Sequence, residues 1–170
     1  MIITIILIVV SIALLLLILN IILTQKRLKD YFKSSVIVFG SKGSGKDLLF
    51  QKVIYMNRKK EYYSNITYGY KHHDISIKDI SVAPNTYNDF INGKISTIDR
   101  KEEMEGKDIY LSDCGVFLPS TFDSTLNKTY PSFPIYYALS RHLYNQNIHC
   151  NTQNLERIWK QLREQSDKYT

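Results

Sequence analysis

A chain of 170 residues with a formal net charge of +6 has room for one membrane anchor and one domain of ordinary size. Its two cysteines, Cys114 and Cys150, lie far apart, which excludes a disulfide framework and a C-x-x-C metal pair and fits a reducing compartment. The basic excess suits a membrane surface or a nucleic acid and suits a plain solvated face equally well, so charge alone selects no partner.

Residues 1–25 contain no charged side chain and are mostly Ile, Leu and Val. About 20 such residues cross the hydrocarbon of a bilayer, and Ser11 and Asn20 are too few to oppose insertion. A cleaved signal peptide needs a basic leader, a shorter apolar run and a small-residue cleavage site, and none is visible. A retained transmembrane helix is therefore expected over residues 1–25. Lys26, Arg27, Lys29 and Lys33 follow in a basic juxtamembrane linker, residues 26–34. The positive-inside rule then puts the N-terminus outside and the rest of the chain in the cytoplasm.

Residues 35–170 alternate strand-like and helix-like segments. Val36–Gly40 is a short β-branched run, read as a buried strand. It leads into Gly40-Ser41-Lys42-Gly43-Ser44-Gly45-Lys46-Asp47, the G-x-x-x-x-G-K frame of a phosphate-binding loop. Glycines let such a loop turn its N–H groups onto phosphate oxygens, and the following helix adds its positive end. Lys46 is placed to reach the outer phosphates. The eighth position, where Ser or Thr binds Mg²⁺, is Asp47.

Asp47–Met56 carries apolar residues at helical spacing, and Tyr62–Ile66 has the aromatic and β-branched content of a second strand. Residues 67–107 read as loops and short elements; within them His72, His73 and Asp74 read as an exposed loop rather than a metal site. Ile109-Tyr110-Leu111-Ser112-Asp113 is an apolar run ending in a carboxylate. Asp113 is thus the candidate Walker B residue, which holds Mg²⁺ against the outer phosphates, with Asp47 as its possible partner on the metal. Hydrolytic enzymes of this kind usually place Glu next to polarise the attacking water, and here that residue is Cys114. Pro134 is placed to start a helix running to Tyr144. Ile148–Thr152 reads as the last strand, and Leu155, Ile158, Trp159 and Leu162 form the stripe of a closing helix. The alternation implies a three-layer α/β domain, a P-loop NTPase fold with a mostly parallel sheet, preceded by the transmembrane helix.

Three segments together resemble the Zot-like (zonula occludens toxin) family, inner-membrane assembly ATPases of filamentous phages within the FtsK–HerA superfamily. They are the loop itself, Tyr62-Tyr63-Ser64-Asn65-Ile66 with its "sNI" ending, and the block from Ser140-Arg141-His142 through Ile148 to Thr152-Gln153, followed by Ile158 and Arg163. The similarity covers about residues 35–166. It implies that Gly40–Asp47 binds ATP with Mg²⁺ and that Asp113 is the Walker B carboxylate. It also implies that Gln153 is the γ-phosphate sensor and that Arg141 is a candidate trans-acting arginine in a homo-oligomeric ring. The expected partners are the host inner membrane, phage assembly or coat proteins, and single-stranded DNA. The departures are Asp47, the Ser112-Asp113-Cys114-Gly115 stretch in place of an acidic pair, and an anchor that precedes the domain. Two other functions fit the same residues: a related DNA-packaging or translocation motor, and a membrane scaffold that binds nucleotide without turning it over. Asp47 and Cys114 favour the scaffold; Gly45, Lys46 and Gln153 favour the motor.

Overall fold

In the computed structural model the described residues are 2–75, 104–118, 137, 140, 141 and 145–170. They fall into two units, Met1–Lys33 and Ser34–Thr170. The first is one helix, α1, Ile2–Tyr31. Its 30 residues extend about 45 Å at 1.5 Å per residue, more than the roughly 30 Å of a bilayer's hydrocarbon. None of its residues is buried, so a long apolar surface stands uncovered by protein, and the helix is long and apolar enough to cross a membrane. It does not stop at residue 25. Lys26, Arg27 and Lys29 are good helix formers, and a cation in the last turn complements the helix dipole, so the basic segment stays helical to Tyr31.

The second unit is built on six parallel strands: β1 (Val36–Phe39), β2 (Tyr62–Ser64), β3 (His72–Asp74), β4 (Asp108–Leu111), β5 (Ile148–Thr152) and β6 (Lys168–Tyr169). Their order is β3-β2-β4-β5-β1-β6. At the centre, Ile37 pairs with Cys150 and Leu111 with Cys150 from the other side, fixing β5 between β1 and β4. Strands buried on both faces need apolar residues pointing both ways, and β4 shows the consequence. Ile109 and Leu111 enter one core cluster with Ile37, Ile148, Cys150, Ile158, Trp159 and Leu162. Tyr110 points to the opposite face, where Phe50 meets it edge-on at 5.4 Å between ring centres. Phe50 belongs to α2 (Lys46–Met56), which buries Phe50, Val53 and Ile54.

The expectation of an α/β domain with a parallel sheet holds, and three local readings change. Ile148–Thr152 is not the last strand, because β6 follows it and pairs with β1. The closing apolar stripe is not one helix. Leu155–Arg157 is a single 3₁₀ turn, Ile158 is extended at φ −83° and ψ 144°, and α4 begins only at Lys160 and runs to Gln165. The Trp159 N–H donates to the Leu118 carbonyl at 3.1 Å, and this tertiary bond takes the place of a helical one. The stripe's apolar side chains are nevertheless inside: Ile158, Trp159 and Leu162 are all buried. Finally, His72–Asp74 is an edge strand rather than a loop. His72 packs on Tyr62 at 5.5 Å and His73 stacks on Tyr63 at 5.0 Å, so ring pairs across β2 and β3 supply what an apolar alternation normally does. The helix expected from Pro134 to Tyr144 lies outside the described residues except at Tyr137, Ser140 and Arg141, which are helical.

Candidate nucleotide-binding site

β1 ends at Phe39, and the chain turns at once into the glycine loop. Gly40 N–H donates to the Thr152 carbonyl at 3.2 Å, tying the loop's start to the end of β5. A Cβ on Gly40 would lie 3.0 Å from Ser44 Oγ, so the loop closes too tightly there for a side chain. Gly45, at φ 86°, is the residue from which α2 starts, in the left-handed region that glycine tolerates best. Among the described residues nothing accepts from the N–H groups of Gly43, Gly45 or Lys46. These donors, with the N-terminal end of α2 behind them, form an anion cradle. Lys46 is buried, and its ammonium donates to the carbonyls of Gly40 at 2.8 Å and Ser41 at 2.9 Å, folded back over the loop.

Asp47 occupies the first turn of α2 and faces the ends of β4 and β5. Its Oδ1 accepts from Ser112 Oγ at 2.7 Å, Asn151 Nδ2 at 2.7 Å and Tyr68 Oη at 2.8 Å. Burial works against its charge, but the bonds from Ser112, Tyr68 and Asn151 and the nearby Lys46 outweigh it, so the carboxyl stays below the usual carboxylate range. Burial, and then the same bond to a carboxylate, raise the Tyr68 hydroxyl well above the ordinary tyrosine value. Tyr68 is therefore a fixed donor.

Ser112 is itself held on both sides. Asn65, at the end of β2, donates to the Ser112 carbonyl at 2.9 Å and accepts from the Ser112 N–H at 2.7 Å. Asn151, on β5, is wholly buried, and its Oδ1 accepts from the Asp113 N–H at 2.8 Å. That backbone donor fixes the amide's orientation, leaving Nδ2 to face Asp47. Two asparagines from the strands flanking β4 thus clamp the Ser112–Asp113 turn.

Asp113 shares no hydrogen bond with Asp47, whose partners are Tyr68, Ser112 and Asn151. It sits at φ 48° and ψ 49°, at the head of the short helix α3 (Cys114–Phe117), and its side chain is exposed. This left-handed turn redirects the chain beyond Ser112 into α3. Asp113 instead lines a hollow with Gly115, Val116, Thr152, Gln153 and Arg157. Asp113 and Gln153 thus line the same hollow. Gly115 permits this packing, since a Cβ there would lie 3.2 Å from both Thr152 Oγ1 and Arg157 Cβ. Cys114 is fully buried in the core, its thiol donating to the Leu111 carbonyl at 3.4 Å. Arg141 is exposed and pairs with Asp167 at 3.6 Å; it makes no hydrogen bond or ion pair with the loop, Asp113 or Gln153.

Asn65, Tyr68, Ser112 and Asn151 are the site residues that sequence reasoning passed over. The only signal was positional, in that Asn65, Ser112 and Asn151 each lie at or just beyond the carboxyl end of a strand. The residues present suit a nucleotide with Mg²⁺: hard oxygen donors stand at Asp47 and Ser112, beside a cradle of N–H groups and one lysine. No protein-family model matches the chain, and no curated protein matches it. Among solved structures the chain is similar to the genome packaging NTPase B204 from Sulfolobus turreted icosahedral virus 2, solved in complex with AMP, at 15% identity and a TM-score of 0.48, over 79% of this chain and 72% of that one.

Proposed function

We propose that this chain is a membrane-anchored ATP-binding protein whose cytoplasmic domain works as an oligomeric assembly ATPase, of the kind that drives filamentous-phage export across the host inner membrane. One observation carries the nucleotide reading: the glycine loop lies between β1 and α2 of a parallel sheet, and among the described residues nothing accepts from the N–H groups of Gly43, Gly45 and Lys46. Ligands of open parallel sheets bind beyond the carboxyl ends of the strands, where this loop lies. The loop and Lys46 hold the phosphates, and Mg²⁺ supplies neutralisation of charge on the outer ones. Asp113, the strand-end carboxylate, and Gln153, the sensor of the γ-phosphate, share one hollow.

The finer reading rests on sequence resemblance: the loop, the Asn65-Ile66 ending and the Arg141–Gln153 block stand in the order seen in Zot-like proteins. Asn65 acquires a physical role in support, since it anchors the Ser112 backbone. Apolar α1 and its basic end favour a single span with the N-terminus outside. Arg141 serves either to complete a neighbouring subunit's site or to hold Asp167, and its ion pair within the chain favours the second role.

A specific observation favours a second reading, nucleotide binding without turnover: Cys114 replaces the usual acid and is buried. Phosphate release by the full chain in lipid nanodiscs separates the two. The motor reading expects Mg²⁺-dependent turnover that falls at least about 100-fold in Lys46→Ala and in Asp113→Ala, a loss of roughly 3 kcal/mol of transition-state stabilisation. ATP binding with no turnover leaves the scaffold.

A further inference from the structure

We propose that the two protein ligands of the Mg²⁺ site have exchanged places in this chain, so that the loop supplies the carboxylate from Asp47 and the strand end supplies the hydroxyl from Ser112. The inference rests on the nucleotide-binding reading above and deepens it. In P-loop NTPases the loop ordinarily gives a Ser or Thr hydroxyl and the strand end an Asp. Here those residue types are reversed, and the two side chains are in direct contact, Ser112 Oγ donating to Asp47 Oδ1 at 2.7 Å. The contact that usually runs from loop hydroxyl to strand carboxylate is kept with donor and acceptor swapped.

The geometry suits a cation. All three bonds to Asp47 fall on Oδ1, and among the described residues Oδ2 accepts none. One oxygen is anchored while the other, on an exposed side chain, remains open. Ser112 is 4% exposed, its backbone clamped by Asn65 and its hydroxyl 3.4 Å from Asn151 Nδ2, so its oxygen is positioned before any ligand arrives. An acid in the loop brings negative charge close to the anionic phosphates, but the exchange adds none in total. One carboxylate and one hydroxyl carry the same total charge whichever element provides each, and Lys46 offsets the acid nearest the phosphates. Asp113, one residue beyond Ser112, is then free of the metal and falls where the water-activating acid follows the metal ligand.

The test is Mn²⁺ titration, followed by electron paramagnetic resonance, into the full chain in nanodiscs with a non-hydrolysable ATP analogue. Wild type is expected to bind Mn²⁺ only with the analogue. Asp47→Asn and Asp47→Ser each weaken it by about tenfold or more, while Asp113→Asn stays within about threefold. The reciprocal variant Asp47→Ser/Ser112→Asp recovers affinity to within about threefold of wild type. Circular dichroism melts confirm that the variants are folded, and Asp47→Asn decides the point even where Ser112→Asp does not fold. Retained Mn²⁺ affinity in Asp47→Asn, or loss in Asp113→Asn alone, overturns the exchange while leaving nucleotide binding intact. Wild type that binds no analogue overturns the nucleotide reading beneath it as well.

Discussion

At the scale of single residues, the site is a set of polar groups whose partners are nearly all side chains or backbone of neighbouring strands. His149 shows how strongly the sheet interior acts on such groups. It is fully buried on β5, against Tyr110 at 4.7 Å between ring centres, and burial holds its pKa down to about 4 although Asp108 pulls the other way. A histidine depressed in the folded state stabilises the fold fully above its unfolded value near 6.5, and that stability is lost as pH falls from there through about 4. The full span corresponds to about 3 kcal/mol. Denaturant midpoints of the full chain, measured between pH 7 and pH 4, are expected to drop through this window. The drop is expected to be shallower in His149→Gln; an equal slope in both proteins refutes the assignment to His149.

At the scale of elements, α2 matters because it carries the loop, Lys46 and Asp47 on one rigid body. Phe50 fastens that body to the sheet, buried completely between Tyr68 and Tyr110. Phe50→Ala is expected to cost about 3–5 kcal/mol, read as a lower denaturation midpoint, and to loosen ATP binding by releasing the start of α2. Unchanged stability contradicts the packing described. The same elements explain what could be read from sequence. The loop was legible because its chemistry depends on fixed spacing within one short stretch, and the central strands were legible because they are apolar throughout. The Ser112–Asp47 contact joins residues 65 apart, and nothing local distinguishes a serine that will face the loop from one that will not. The left-handed backbone of Asp113, which turns the chain from β4 into α3, leaves no mark in the sequence either. The last helix failed differently. Leu155, Ile158, Trp159 and Leu162 have helical spacing, yet a 3₁₀ turn and the Trp159–Leu118 bond bury the same side chains without a helix. β3 was missed because aromatic and imidazole rings, not aliphatic alternation, pair it to β2.

At the scale of the whole molecule, the chain combines an uncovered apolar helix with a parallel-sheet domain that carries a polar site at the carboxyl ends of β1, β4 and β5. Nucleotide at that site is what the assigned function requires. Calorimetric titration of ATP into the full chain in nanodiscs tests it most directly, with Lys46→Ala as the comparison. Saturable one-site binding is expected of wild type, weakened by about 100-fold or more when the lysine is removed. Equal binding by the two proteins, or none by wild type, contradicts it.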